Sequence, residues 1–460
     1  MKLQFLILLW LLGLVLSERS YLHIPSHFLH EDPKIQQENI DRFIDKRKIL
    51  HQLLAKKYSI KDVSTADFED PFVFEGDLLL TEEQLDQRIQ NVRHSLKALQ
   101  GGEVVRGKRA FINDITMLWP DPVPFEFDKV DVVNIEAAQA GMYFWQNETC
   151  LQFNGDESSD VRLFFTRRVG CQSVVGRHQN PVLHDVYLQN GCDNLATTTH
   201  VIAHALGVWH EHNRADRNEY LWFNDKNVSE KFADEYTRVF WTNMNGESVG
   251  YDYGSIMHHG WMYHSANLGQ SVIITKDPDY MQTIGQIDQP SFADIKSMNR
   301  AYCWNQCDDL ATVCKNGGYP DPKNCTVCKC PPAFSGRLCG AVKVGTGGNC
   351  GTRALDATST EKTVAANGNG ICYYVITGPV GTQISFEVTN LNITSAAYSD
   401  TVTGCSYNYL EINYGSDFAL TGARYCNATF PTRARSDTNM LVLTYRGKQG
   451  TRFAMKYTAV

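Results

Sequence analysis

Residues 199–217, THVIAHALGVWHEHNRADR, carry the strongest structural statement in the chain. His200 and His204 stand four apart, so on one helix both imidazoles project from the same face and reach a single metal ion. Gly207 permits a sharp exit, after which the chain turns back and offers His210 as a third ligand. Three imidazoles leave one open position on a tetrahedral zinc ion. In a chain with 14 histidines a pair at this spacing is weak alone, and the weight comes from the rest of the string.

The full pattern H-x-x-x-H-A-L-G-x-W-H-E-x-x-R-x-D-R, followed by YDYGSIMH at residues 251–258 with Met257 as a Met-turn, resembles the astacin family of zinc endopeptidases. The resemblance runs from Phe74 to about Trp304 and includes TKDPDYMQTIGQ at residues 275–286. It implies an α+β, metzincin-like peptidase domain over residues 110–304, with one Zn2+ per chain on His200, His204 and His210. It also implies that Phe74, Glu75, Gly76 and Asp77 form the F-x-G-D switch of a zymogen, with Asp77 as the latency ligand. Ala110 then becomes the mature N-terminus, buried against Glu211, and the domain's disulfides are Cys150 to Cys303 and Cys171 to Cys192.

Toward the N-terminus, Lys2 precedes an apolar run at residues 3–16 that ends at Ser17 before Glu18 and Arg19, the pattern of a secretory signal peptide over residues 1–17. The run is short for a membrane span, and no second one follows, so the expected product is secreted, extracellular and without a membrane span. Residues 18–109 contain no cysteine and are rich in charge, with an amphipathic helix expected over 82–100. They end in Arg106, Gly107, Lys108 and Arg109, a proprotein convertase site that marks a propeptide cut between Arg109 and Ala110.

In an oxidising compartment the 14 cysteines are expected to pair into seven bridges. Six of them, Cys307, Cys314, Cys325, Cys328, Cys330 and Cys339, crowd into residues 305–340, a segment too small for a core of its own. Its CKCPPAFSGRLC resembles an EGF-like module, and the absence of histidine there argues against a zinc knuckle. Residues 350–460 hold Cys350, Cys372, Cys405 and Cys426 among β-rich runs such as QISFEVTNLNI and MLVLTYRG, which predict an all-β sandwich. CSYNYLEI, at the second cysteine pair, resembles a CUB domain, although Asn408 stands where the calcium-binding pattern has Asp. The whole looks like a nematode astacin, a shortened relative of the tolloid type. Sequons at Asn147, Asn227, Asn324, Asn392 and Asn427 accord with secretion. A net charge of −8 offers no footprint for nucleic acid, and the expected partners are extracellular or matrix proteins met by the cleft and the CUB domain.

Two residues depart from the family pattern. Where H-E-x-x-H has its glutamate this chain has Val201, and where S-I-M-H-Y has its tyrosine it has His259. A glutamate there moves protons in peptide hydrolysis, work worth roughly 10² to 10⁴ in rate, and an isopropyl group has no lone pair for it. His259 either closes the open metal position or donates an N–H to an oxyanion. Glu211 and Asp216, the neighbouring carboxylates, have structural places in the family pattern. The expectation is therefore an astacin-type zinc metalloendopeptidase, made as a zymogen, with no intact catalytic residue at these positions and activity absent or strongly impaired. The alternative is a zinc-binding pseudopeptidase that serves as an extracellular binding or competitor module.

Overall fold

The structure, a computed structural model, describes residues 24–58, 70–99, 115–178, 183–229, 232, 236–239, 249–267, 269–307, 312–393, 404–426 and 434–460. The expected signal peptide, the cleavage site with Ala110, and Asn427 lie outside them.

An N-terminal segment of two helices, α1 (Pro33–Tyr58) and α2 (Glu82–Leu99), flanks a hairpin of β1 (Val73–Phe74) and β2 (Leu78–Leu79). α2 starts at a capping box: the Gln84 N–H donates to Thr81 Oγ1 at 3.3 Å and the Thr81 N–H to Gln84 Oε1 at 3.1 Å. Leu85, Ile89 and Val92 form its buried stripe at helical spacing.

β2 does more than close a hairpin, because it adds this segment to a larger sheet. The next strands are β3 (Val123–Phe127), β4 (Phe153–Gly155), β5 (Arg162–Thr166), β6 (Cys171–Val174) and β7 (Leu183–Leu188), and the order across the sheet is β1-β2-β6-β7-β5-β3-β4. β6 runs antiparallel to β7, and β2 lies parallel to β6 with Leu78 opposite Ser173. α3 (Ile135–Glu148) and α4 (Leu195–Ala205) pack closely: a Cβ at Gly141 would meet Ile202 Cδ1 at 2.8 Å. Trp145, buried between them, donates its indole N–H to the Thr199 carbonyl at 3.0 Å. α5 (Phe292–Tyr302) carries the capping box Ser291/Asp294 and ends at Cys303, which is bonded to Cys150. Cys171–Cys192 is the second bridge of this part.

Beyond it, Cys307–Cys325, Cys314–Cys328 and Cys330–Cys339 staple a segment of short strands. The C-terminal part is an all-β, sandwich-like sheet, of nine strands among the described residues, with bridges Cys350–Cys372 and Cys405–Cys426. Its long strand Lys362–Thr377 pairs first with Arg452–Ala459 and then with Met440–Gly447, so one strand ties two halves around a core of Tyr374, Ile376, Phe386, Leu443 and Phe453. This part docks on the first: Thr421 donates its N–H and Oγ to the Asp252 carboxylate at 3.0 and 3.1 Å, and Tyr414 donates to Asp277 at 2.6 Å. Among the described residues no helix is long and apolar enough to cross a membrane.

The N-terminal segment is also held at its first turn. Ser26 donates its N–H and Oγ to the Asp185 carboxylate, both at 2.6 Å, and the neighbouring His27 is half-buried near the buried His178 and His184. Burial holds His27 down at about 3, His178 at about 4, and His184 well below its ordinary value. These depressed values mean that the stability of the neutral rings is complete above the ordinary 6.5 and is lost as pH falls toward 4. Asp185, raised by burial, works in the opposite sense, while Arg177 and Arg168 add positive charge nearby. Acidification from pH 6.5 to 4 is expected to loosen the segment, read as faster amide exchange in α1, and His27→Phe to reduce that response. Unchanged exchange over this range would contradict it.

Candidate metal centre

α4 places two of the three histidines. The Asn194 side chain caps it by accepting the Thr197 N–H at 2.9 Å, and most of its residues are buried between sheet and α3. It stops at Gly207, whose φ of +98° belongs to the left-handed side that glycine alone enters freely. The Gly207 N–H donates to the His204 carbonyl at 2.8 Å, and the chain reverses to bring Trp209 and His210 under the helix. A second tie fixes the return: the Glu211 N–H donates to the Met257 carbonyl at 2.9 Å, so the buried Met257 turn lies directly beside the third histidine.

The three Nε2 atoms converge. Asp77 Oδ2, from the tip of the β1–β2 hairpin, lies 2.8 Å from His200 Nε2, 3.2 Å from His210 Nε2 and 3.6 Å from His204 Nε2. His204 Nε2 is 3.0 Å from His200 Nε2. Each ring is turned from behind: Nδ1–H of His200 donates to the Ile256 carbonyl at 2.9 Å, that of His204 to the Val208 carbonyl at 2.7 Å, and that of His210 to the Glu75 carboxylate. Those acceptors fix the tautomer and aim three lone pairs at one point. Asp77 Oδ1 is buried with no hydrogen-bond partner among the described residues. Burial alone would raise the Asp77 carboxyl, and the facing imidazoles outweigh it and hold the group well below the usual range. Facing lone pairs, a carboxylate and an orphaned oxygen fit a divalent cation of zinc's preference.

Residues 111–303 match the Astacin peptidase family, and residues 347–457 match the CUB domain. The chain is 37% identical over 473 residues to zinc metalloproteinase nas-34 of Caenorhabditis elegans, an alignment covering 97% of this chain and 76% of that one. The chain belongs to the astacin family. Zinc metalloproteinase nas-28 of the same organism is 31% identical over 431 residues, covering 88% of this chain and 84% of the relative. Among solved structures, the high choriolytic enzyme 1 of medaka fish, a hatching enzyme zinc-protease, superposes with a TM-score of 0.38 at 24% identity over 42% of this chain and 96% of that one.

Within this astacin domain, Val201 is fully buried in the apolar core. Among the described residues, the carboxylates that touch the three rings, Asp77 and Glu75, both come from the N-terminal segment. Glu211 and Asp216 are engaged elsewhere. Arg214 Nη1 donates to Glu211 at 2.8 Å, and its Nε and Nη2 grip Asp216 at 2.9 Å each. Glu211 also accepts the Asp252 N–H at 2.9 Å, and burial pushes its carboxyl up to about 7 against the pull of Arg214.

His259 is not one of the four groups that meet at Asp77 Oδ2, although its ring lies 4.2 Å from that of His210 between centroids. Its ring stacks on His212 at 4.2 Å between centroids and an interplanar angle of 29°, and lies 4.0 Å from the Tyr263 ring. With His210, the rings of His212 and His259 form a second buried group whose ligand atoms lie within 4.8 Å of one another. Burial keeps His212 and His259 well below the ordinary imidazole value, hence neutral. Of the sequons, Asn147, Asn324 and Asn392 are exposed, whereas Asn227 donates its amide to the Ser271 carbonyl at 2.9 Å.

The reversal at Gly207 is the local condition for a third ligand. Gly207→Ala forces a Cβ into the left-handed region and is expected to lower unfolding stability by about 1–2 kcal/mol. Denaturant unfolding of the full chain measures it, and an unchanged midpoint would contradict the reading.

Proposed function

We propose that the chain is a secreted, latent astacin-type protein whose His200, His204 and His210 hold one Zn2+ and whose power to cleave peptide bonds is absent or strongly reduced. The observation that carries the reading is Val201, buried in the core at the position after the first ligand, with no other carboxylate of the domain turned toward the three rings among the described residues. Zinc, when bound, supplies Lewis acidity to a peptide carbonyl. The chain's own part in hydrolysis is to accept and return a proton beside that carbonyl, and Val201 has no atom that does so. Asp77 at the convergence point supports the zymogen reading, with residues 18–109 as propeptide, removed by a proprotein convertase after Arg109. Seven disulfides support the extracellular one.

The second reading, a zinc-binding module that competes for or presents extracellular proteins, is favoured by the docking of the CUB part on Asp252. That residue's N–H in turn holds Glu211 beside the third ligand. Such docking gives a single surface from two parts. On either reading, residues 305–340 act as an EGF-like stapled spacer, and the partners are extracellular or matrix proteins.

The test compares cleavage of a generic protein substrate by wild type, Val201→Glu and the double variant Val201→Glu, His259→Tyr, each cut at Arg109 and matched in zinc. Wild type is expected to fall below the double variant by at least about 10², the span of one proton-transfer group. Because His259 is not among the groups that meet at Asp77 Oδ2, the single Val201→Glu change is expected to recover activity within about tenfold of the double variant. Chelator-sensitive cleavage by wild type at the double variant's rate would overturn the proposal. Activity in the double variant alone would put His259 on the metal once the propeptide leaves.

A further inference from the structure

Two of the three zinc-facing rings are set by the astacin domain itself, through the carbonyls of Ile256 and Val208. The third is not. The partner of His210 Nδ1 is Glu75, a residue of the N-terminal segment 135 positions earlier in the chain. We infer that Glu75 is the positioning residue of the third metal ligand, so that the N-terminal segment helps to hold the metal as well as to cover it. The inference rests on the proposed zinc centre and makes its third ligand depend on a residue outside the astacin domain.

Four observations carry it. Glu75 and Gly76 are the central residues of the turn between β1 and β2, closed by the Asp77 N–H on the Phe74 carbonyl, and both have positive φ, +55° and +81°. Asn, Asp or Gly suits such a tip, and a long side chain with a Cβ is disfavoured there. A disfavoured backbone persists where surrounding contacts over-determine it, and Glu75 is so held. Its carboxylate, fully buried, pairs with Arg88 of α2 on one side and with His210 Nδ1 on the other. Arg88 is itself buried, with its guanidinium 5.2 Å from the ring of Trp209, the residue before His210. The hairpin tip is also closely fitted, because a Cβ at Gly76 would meet Tyr263 Oη at 2.5 Å.

A carboxylate behind a ligating imidazole does two things. It fixes the ring and the tautomer, and it raises the basicity of the nitrogen that faces the metal. Asp77 meets the metal side of the centre while Glu75, two residues earlier, meets its back, so one hairpin reads both faces of His210. Linkage makes the coupling reciprocal: whatever affinity the segment adds for zinc, zinc adds for the segment. A chain without its proton carrier has little to restrain, and loading the metal gives its propeptide a use.

The test uses the full latent chain and measures zinc affinity by competition with a chromophoric chelator, alongside the zinc-induced rise in melting temperature. Glu75→Ala is expected to lower zinc affinity about 10- to 100-fold and to shrink that rise. Glu75→Gln keeps an oxygen that accepts the Nδ1–H, and is expected to stay near wild type. Equal affinities in all three proteins would overturn the inference. So would a melting temperature lowered equally with and without zinc, the mark of a merely structural role. If Glu75→Ala does not fold, Glu75→Gln still decides by nitrogen-15 NMR of the zinc-loaded histidines: one Nδ1–H of three is expected to move upfield as its acceptor loses charge, and three unmoved signals would overturn the assignment. Wild type that takes up no zinc would instead overturn the metal centre itself, and the role of Glu75 with it.

Discussion

Three imidazole nitrogens and a carboxylate oxygen meet around one point, and such a set of facing lone pairs suits a divalent cation. Much of the surrounding structure exists to impose that meeting. The capped helix α4 sets two rings one turn apart. Gly207 reverses the chain to deliver the third, and the Met257 carbonyl holds the return segment in place. None of these devices depends on the residue at 201. An astacin domain can therefore exchange its glutamate for valine and keep the whole scaffold, since an apolar side chain in a dense core is a favourable substitution for the fold.

The N-terminal segment is bound to this scaffold by three different kinds of contact. β2 continues the sheet through main-chain pairing with β6, Ser26 and His27 bury polar groups at its first turn, and Asp77 with Glu75 enters the metal centre. Main-chain pairing is insensitive to pH and metal, the histidine cluster responds to acid, and the hairpin tip responds to the cation.

Much of this was legible in the sequence where spacing is local. The i, i+4 histidines with glycine three residues on describe α4 and its end, and the stripe of Leu85, Ile89 and Val92 describes α2. The Cys150–Cys303 pairing was reachable only through family resemblance, because 153 residues separate its ends and spacing says nothing across that distance. β1 and β2 are two residues each, too short for a periodic signal, so their place in the sheet could not be read. Glu75 sat at the free position of a motif. Its bond to His210 joins charges far apart in sequence that only the folded hairpin brings together. His259 could be read as a ligand or as an oxyanion donor, and its stacking on His212 is a tertiary fact with no sequence signature.

The most direct test of the central claim is zinc K-edge X-ray absorption on the latent full-length chain. The account predicts a four-coordinate ion with three imidazole nitrogens and one carboxylate oxygen, all at about 2.0–2.1 Å. A shell of four imidazoles would place His259 on the metal, and a shell lacking the carboxylate would remove Asp77. Either result would contradict the centre described here.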